Sequence, residues 1–134
     1  MKKVTVILEK SETGYSAYLP ELPGIATTGD QFVDIRKNME EALELYIDAV
    51  REYKEELPEI LKDDYQLVYK FDVQTFFEWM SKVMSQKGLC EMSDMNESLL
   101  SQYANGIKIP GPKQLKRLES ALHRFADDLH AITF

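Results

Sequence analysis

Two histidines on a predicted C-terminal helix have the residue type and spacing closest to those of a metal site. His123 and His130 are seven residues apart, about two helical turns, so one helix face would carry both. A protein zinc site needs three or four Cys, His or carboxylate ligands. The chain has one cysteine, elsewhere in the sequence, and no matching acidic pattern beside these histidines. We therefore expect no bound metal and no cofactor.

Carboxylates on an earlier predicted helix are the second candidate for chemistry. The group consists of Asp30, Asp34, Glu40, Glu41 and Glu44. Paired carboxylates can transfer protons, but acids on one helix are more often a solvated face, and the first of them suits an N-cap. The chain contains no glycine-rich phosphate loop after a strand, no serine nucleophile elbow and no HExxH sequence. We expect that the protein is not an enzyme.

The composition is that of an ordinary folded protein, with 134 residues, 44% hydrophobic and 29% charged. No apolar run approaches the roughly 18 residues of a membrane span. The N-terminal MKKVTVILEK is too short in its apolar part for a signal sequence, and its alternation predicts a strand. The single cysteine, Cys90, excludes an internal disulfide. These features lead us to expect a cytoplasmic protein with no membrane association.

The net charge of −7 is unevenly distributed along the chain. Residues 1–70 hold 9 Lys and Arg against 15 Asp and Glu, whereas residues 71–134 hold 7 against 8. Within the second half, residues 98–118 contain four basic residues and no acid. An acidic first half suits a basic protein partner, and a basic stretch suits a phosphate backbone. Solvated surface without a partner is the alternative explanation for both.

The first half predicts a small α+β unit with the order β-β-β-α-β. Strands are expected at 3–10, 15–19, 25–29 and 66–71, with a long amphipathic helix opened by Asp30. This region resembles the N-terminal domain of HicB-type antitoxins. The resemblance rests on Tyr18, Pro20, Glu21, Leu22, Pro23, Gly24, Thr28, Gly29, Asp30 and Asn38. It implies a partial ribonuclease-H-like fold for residues 1–71 and a protein that binds and silences a toxin.

The toxin implied by the resemblance is a small basic ribonuclease of the HicA type. Rigid aromatic side chains make good interface anchors, and prolines stiffen the segment that presents them. The predicted partner-binding residues of the acidic first half are Tyr15, Tyr18, Pro20, Glu21 and Pro23.

From residue 72 onward the sequence shows only helical periodicities, so residues 72–134 are expected to form an all-α domain. A first helix is predicted from the apolar positions Val73, Phe76, Phe77, Met80, Val83 and Met84. Residues 86–106 then match the spacing of a helix-turn-helix. Cys90 is the small residue at the helix crossing, Asp94 takes the left-handed turn position, and Asn96 caps the second helix.

This spacing resembles the helix-turn-helix of the lambda repressor/Cro-like family, with Cys90 and Asp94 in place of the usual alanine and glycine. The resemblance implies binding to operator DNA. Asn and Gln can pair with adenine edges, and Lys is suited to phosphates. The expected DNA-binding residues are Asn96, Glu97, Ser98, Ser101, Gln102, Asn105, Lys108, Lys113 and Lys116. A helical bundle used only for dimerisation is the alternative.

The last predicted helix begins with Pro112 and carries a regular apolar stripe. Its members are Leu115, Leu118, Leu122, Phe125, Leu129 and Ile132. The stripe is long enough to serve both a core and a two-fold partner, which leads us to expect a homodimer or higher oligomer. The full interpretation is an antitoxin that neutralises a ribonuclease toxin and represses its own operon. The alternatives are a stand-alone transcription regulator and a structural oligomerisation module.

Overall fold

The computed structural model describes residues 1–134, which form two compact units, Met1–Asp72 (unit 1) and Val73–Phe134 (unit 2). Unit 1 contains strands β1 (Lys2–Lys10), β2 (Tyr15–Tyr18), β3 (Ala26–Gly29) and β4 (Tyr65–Phe71), helix α1 (Phe32–Glu52) and a short 3-10 turn (Glu59–Leu61). Unit 2 contains helices α2 (Val73–Met80), α3 (Gln86–Ser93), α4 (Glu97–Ala104) and α5 (Pro112–His130). The fold class is α+β.

Unit 1 is a mixed four-stranded sheet with α1 on one face. The strand order is β3-β2-β1-β4, with β1 antiparallel to β2 and parallel to β4. Strands β3 and β4 run in the same direction at opposite edges of the sheet, so the segment that contains α1 crosses the sheet to connect them. The period-two pattern predicted for β1 is confirmed, since Val4, Val6 and Leu8 are buried while Thr5 and Ile7 are half-buried. The element order β-β-β-α-β is the one predicted.

The start of α1 differs from the prediction that Asp30 is its N-cap. The N-cap is Gln31, with φ −125° and ψ 159°, and its backbone N–H donates to Asp34 Oδ2 at 3.1 Å. Asp34 therefore supplies the carboxylate of a capping box in the first helical turn. Counted from Asp30 the third helical residue would be Val33, whereas counted from Gln31 it is Asp34, whose carboxylate can accept from the cap N–H.

Unit 2 packs its own hydrophobic core. Its buried members are Phe77, Met80, Leu89, Met95, Leu100, Tyr103 and Leu118. The prediction that one apolar helix face extends from Val73 through Val83 is wrong, because α2 ends at Met80 and Val83 is 68% exposed. The chain turns sharply here, with the N–H groups of Val83 and Met84 both donating to Met80 O at 2.9 Å. After this turn α3 begins at Gln86 and is capped by Ser85, whose Oγ accepts from the Gly88 N–H.

Helix α5 begins with Pro112 at its first position, as predicted, but its apolar stripe is only partly buried. Leu118 lies in the core, whereas Leu115 is 40% and Leu129 is 52% exposed, and Ile132 lies beyond the helix end. The stripe is therefore a core element near its middle and a surface element at its C-terminal end. None of the helices combines the length and apolar content that a membrane span requires.

Candidate functional site

The connection between β2 and β3, residues 19–25, is a tight loop held at both ends. We call it the proline loop. Leu19 N–H donates to Ile25 O, and Ile25 N–H donates to Leu22 O, both at 3.2 Å. Leu19 and Ile25 are buried, and Gly24 has φ +100°, a conformation that an L side chain rarely adopts. Buried anchors and a permissive glycine therefore fix the exposed part of the loop.

The exposed part of the loop contains three of the predicted partner-binding residues. Pro20, Glu21 and Pro23 are solvent-exposed, and the adjacent Tyr18 is 38% exposed at the end of β2. Tyr15 does not belong to this surface, because its ring is 6% exposed and packs in the core of unit 1. The alternation of β2 explains this difference, since Tyr15 and Ala17 face α1 while Tyr18 faces the other side of the sheet.

The second candidate surface is the α3–α4 segment of unit 2, whose three-residue connection is tightly held. Asp94 ends α3 with φ 54° and ψ 38°, the left-handed conformation predicted for it. Cys90 Sγ donates to Met95 O at 2.6 Å, and Met95 N–H donates to Cys90 O at 3.3 Å. Asn96 caps α4 as predicted, since its Oδ1 accepts from the Leu99 N–H at 3.1 Å.

Helix α4 ends at the predicted Asn105-Gly106 pair. Gly106 has φ +72°, its N–H donates to Tyr103 O at 3.2 Å, and the Ile107 N–H donates to Gln102 O at 2.9 Å. These two bonds form a Schellman motif, which satisfies carbonyls that the helix end leaves free. Both ends of α4 are thus defined by side-chain or backbone caps, and its eight residues form a well-bounded helix.

The predicted DNA-binding residues of α4 differ in their exposure. Asn96, Glu97, Ser98 and Asn105 are exposed, whereas Ser101 and Gln102 are half-buried. The Asn105 side-chain amide donates to Ser101 O at 3.0 Å, so part of its hydrogen-bonding capacity is used within the helix. By helical spacing, Glu97, Ser98, Ser101, Gln102 and Asn105 lie on the side of α4 away from the buried Leu100 and Tyr103.

The three predicted phosphate-binding lysines, Lys108, Lys113 and Lys116, are all exposed. Within α5 the structure adds a residue, Arg117, that was absent from the predicted site. Arg117 Nη2 donates to Asp94 O at 2.6 Å, which ties α5 to the turn between α3 and α4. The sequence marked Arg117 only as one of four basic residues in an acid-free stretch, because a contact across 23 residues carries no local signal.

The candidate metal ligands are not brought together. His123 and His130 are exposed on α5, and no group of three or more His, Cys, Asp or Glu side chains is arranged to hold a metal ion.

A comparison with protein families identifies one match that spans most of the chain. A family model described as "HicB_like antitoxin of bacterial toxin-antitoxin system" matches residues 4–124. The chain belongs to the HicB-like antitoxin family. The matched range includes the proline loop of unit 1 and the whole α3–α4 segment of unit 2.

Individual relatives of this HicB-like chain match over shorter segments. A UPF0150 protein of Helicobacter pylori is 36% identical over 44 residues, which is 33% of this chain and 61% of that protein. A UPF0150 protein of Synechocystis is 45% identical over 47 residues, 34% of this chain and 60% of that protein. A UPF0150 protein of Thermoplasma acidophilum is 37% identical over 57 residues, 42% of this chain and 83% of that protein. The chain thus spans about three fifths of the length of the first two relatives.

Proposed function

We propose that this protein is the antitoxin of a toxin–antitoxin pair, in which it binds and silences a small basic ribonuclease toxin of the HicA type. The family match over residues 4–124 is the observation that carries the proposal. The acidic balance of the first half supports it, because 15 acids against 9 basic residues favour a basic partner. The proline loop supports a protein interface, since its shape is fixed before binding and little conformational entropy is lost.

The test is an RNA-cleavage assay with the full-length protein and the ribonuclease encoded by the neighbouring gene. An equimolar amount of the antitoxin is expected to form a stable complex and to suppress cleavage of an RNA substrate. The proposal would be contradicted if the protein encoded by the neighbouring gene has no ribonuclease activity. It would also be contradicted if the antitoxin leaves that activity unchanged. The stand-alone regulator would then be the better interpretation.

We also propose that unit 2 is a helix-turn-helix DNA-binding domain through which the protein represses its own operon. The support is local: two eight-residue helices, a three-residue connection with a left-handed Asp94, and a capped α4 with polar residues outward. The acid-free stretch of residues 98–118 supplies positive charge beside this helix. The proposed base contacts are Asn96, Glu97, Ser98, Ser101, Gln102 and Asn105.

We propose that the C-terminal end of α5 and the residues after it pair with a second copy of the chain. Leu129 and Ile132 are 52% and 58% exposed, and Phe134 at the chain end is fully exposed. An apolar surface that its own chain leaves uncovered is a common dimer surface, and helix-turn-helix proteins bind paired half-sites as dimers.

Sedimentation of the free protein at micromolar concentration is expected to give a dimer or a larger species. Leu129→Glu should shift the protein toward the monomer, because two carboxylates would be buried in the paired face. His123→Glu is the matched control, since His123 is an exposed residue of the same helix away from this face. A monomeric wild-type profile would exclude pairing, and dissociation by both substitutions alike would place the contact elsewhere.

A further inference from the structure

The two edges of the unit 1 sheet differ in how their backbone groups are used. At the β3 edge, the Asn38 side chain of α1 donates to Thr28 O at 2.9 Å and occupies that carbonyl. At the β4 edge, no backbone hydrogen bond from outside the sheet reaches residues 65–70. An edge strand of this length with free N–H and C=O groups is a template for another strand. The β4 edge is therefore the open one.

A groove runs beside β4 on the face of the sheet that carries α1. We call it the β4 groove. Helix α1 packs most closely over β3 and β2, and the space left over β4 has a volume of about 410 Å³. Its lining comes from β4 and from one face of α1: Arg36, Glu40, Leu43, Glu44, Tyr65, Gln66, Leu67 and Tyr69. The floor is thus aromatic and aliphatic, and the α1 rim is charged.

The hydroxyl of Tyr69 is buried in this region and has no hydrogen-bond partner. Its ring is held by an edge-to-face contact with Phe32, with the ring centres 5.3 Å apart. Burial raises the pKa of the Tyr69 hydroxyl, the Glu40 carboxylate raises it further, and Arg36 lowers it. The hydroxyl is therefore neutral near pH 7 and able to donate. A buried hydroxyl without a partner is costly, and a ligand that supplies one removes that cost.

The rim of the groove favours a cationic ligand. Glu40 and Glu44 are exposed, stand one helical turn apart, and have no salt-bridge partner within the chain. Arg36 is the single basic group among the lining residues, so the rim has a net negative charge. Two copies of the chain paired antiparallel along β4 would bring both sets of carboxylates to the same face of a continuous sheet. Like charges disfavour that arrangement, so a second copy is a poor occupant.

We propose that the β4 groove binds an extended, basic segment of a partner protein, which adds as a fifth strand to the free edge of β4. Main-chain hydrogen bonds to β4 supply affinity, and alternate side chains of the added strand reach the groove. Basic side chains in the segment meet Glu40 and Glu44. The segment also uncovers the buried Tyr69 hydroxyl, and one of its polar atoms accepts a hydrogen bond from it. We take the toxin to be the protein that supplies this segment, which rests on the proposed function.

A labelled heptapeptide of alternating valine and lysine is the probe, measured by fluorescence anisotropy with the full-length protein at low salt. The double variant Glu40→Gln, Glu44→Gln is expected to weaken binding about tenfold, because two charge pairs with the peptide are removed. Glu41→Gln is the matched control, with the same change on an exposed part of α1 outside the groove, and should stay within about twofold. The same peptide with its alternate amides N-methylated should not bind, because its paired edge has no donors left.

Tyr69→Phe separates a binding role from a packing role. It is expected to weaken peptide binding about fivefold, since one hydrogen bond is removed, while raising the thermal midpoint of unit 1 by about 4 °C, since a buried unpaired hydroxyl is removed. A purely structural Tyr69 would show the rise in midpoint with unchanged affinity, which would overturn the hydroxyl contact. The added-strand proposal would be overturned if the N-methylated peptide binds as well as the unmodified one. It would also be overturned if the Glu40 and Glu44 substitutions leave peptide affinity unchanged.

Toxin binding distinguishes this inference from the proposed function. If the toxin binds the wild type and the groove variants equally well, the β4 groove is not the toxin-binding site. The antitoxin role would stand in that case. Peptide binding with the expected variant effects, together with no binding of the toxin, would leave the groove in place and reject the toxin as its partner.

Discussion

Alanine at Lys108, Lys113 and Lys116 together is expected to lower the affinity for the DNA upstream of this gene by at least about a hundredfold at low salt. Each lysine is exposed within the acid-free stretch and is proposed to neutralise one phosphate. A phosphate that binds no lysine keeps its condensed counterion, so the slope of log affinity against log salt should become shallower by about 0.9 for each lysine replaced. A mobility-shift titration at several salt concentrations measures both quantities.

The matched control is Lys82→Ala, an exposed lysine of unit 2 outside that stretch, which should leave affinity and slope nearly unchanged. Gln102→Ala tests base contact separately, because it should cost about 1–3 kcal/mol at one base position and relax preference there without altering the salt slope. If the wild-type protein does not shift this DNA at low salt, with or without toxin, the DNA-binding proposal is wrong. Unit 2 would then be a helical bundle used only for dimerisation.

Tyr18→Ala is expected to weaken toxin binding about thirtyfold, equivalent to about 2 kcal/mol, because buried aromatic anchors dominate interface energetics. Tyr18 is 38% exposed at the end of β2, next to the exposed part of the proline loop. Calorimetric titration of purified toxin into the full-length antitoxin measures the change.

Tyr53→Ala is the control for Tyr18→Ala, because Tyr53 is an exposed tyrosine of the same unit, just past the end of α1. It should leave toxin affinity within about threefold. An equal loss from both substitutions would indicate a general effect on unit 1, and no loss from Tyr18→Ala would move the toxin interface away from the proline loop. A circular dichroism melt of each variant shows whether unit 1 remains folded.

Local rules read from the sequence placed several elements correctly. The alternation of Val4, Val6 and Leu8 predicted the buried face of β1, and Asp94 and Asn96 were predicted as the left-handed turn residue and the α4 cap. These features depend on side-chain periodicity, left-handed backbone tolerance and short-range hydrogen bonds, which neighbouring residues determine. The family resemblance was likewise visible in the order of prolines, glycines and acids between Tyr18 and Asn38.

Competition between neighbouring elements decided the features that local rules missed. Asp30 is as good an N-cap residue as the sequence offers, yet the N-cap is Gln31, because Asp34 three residues later accepts from its N–H. Apolar residues recur at helical spacing through Val83, but α2 ends at Met80, because the chain turns there before α3 begins. Tyr15 and Tyr18 look alike in the sequence, and the register of β2 in the sheet buries one and exposes the other.

The sequence by itself determined the α+β class, the order of the elements, the charge of each half and the family. Only the tertiary structure decided which edge of the sheet is open, that Arg117 reaches the Asp94 carbonyl, and that Tyr69 faces a groove with an unpaired hydroxyl. The physical reason is the range of the interactions involved. Periodicity and caps act over about four residues, whereas these three features depend on strand pairing and helix packing between segments far apart in the chain.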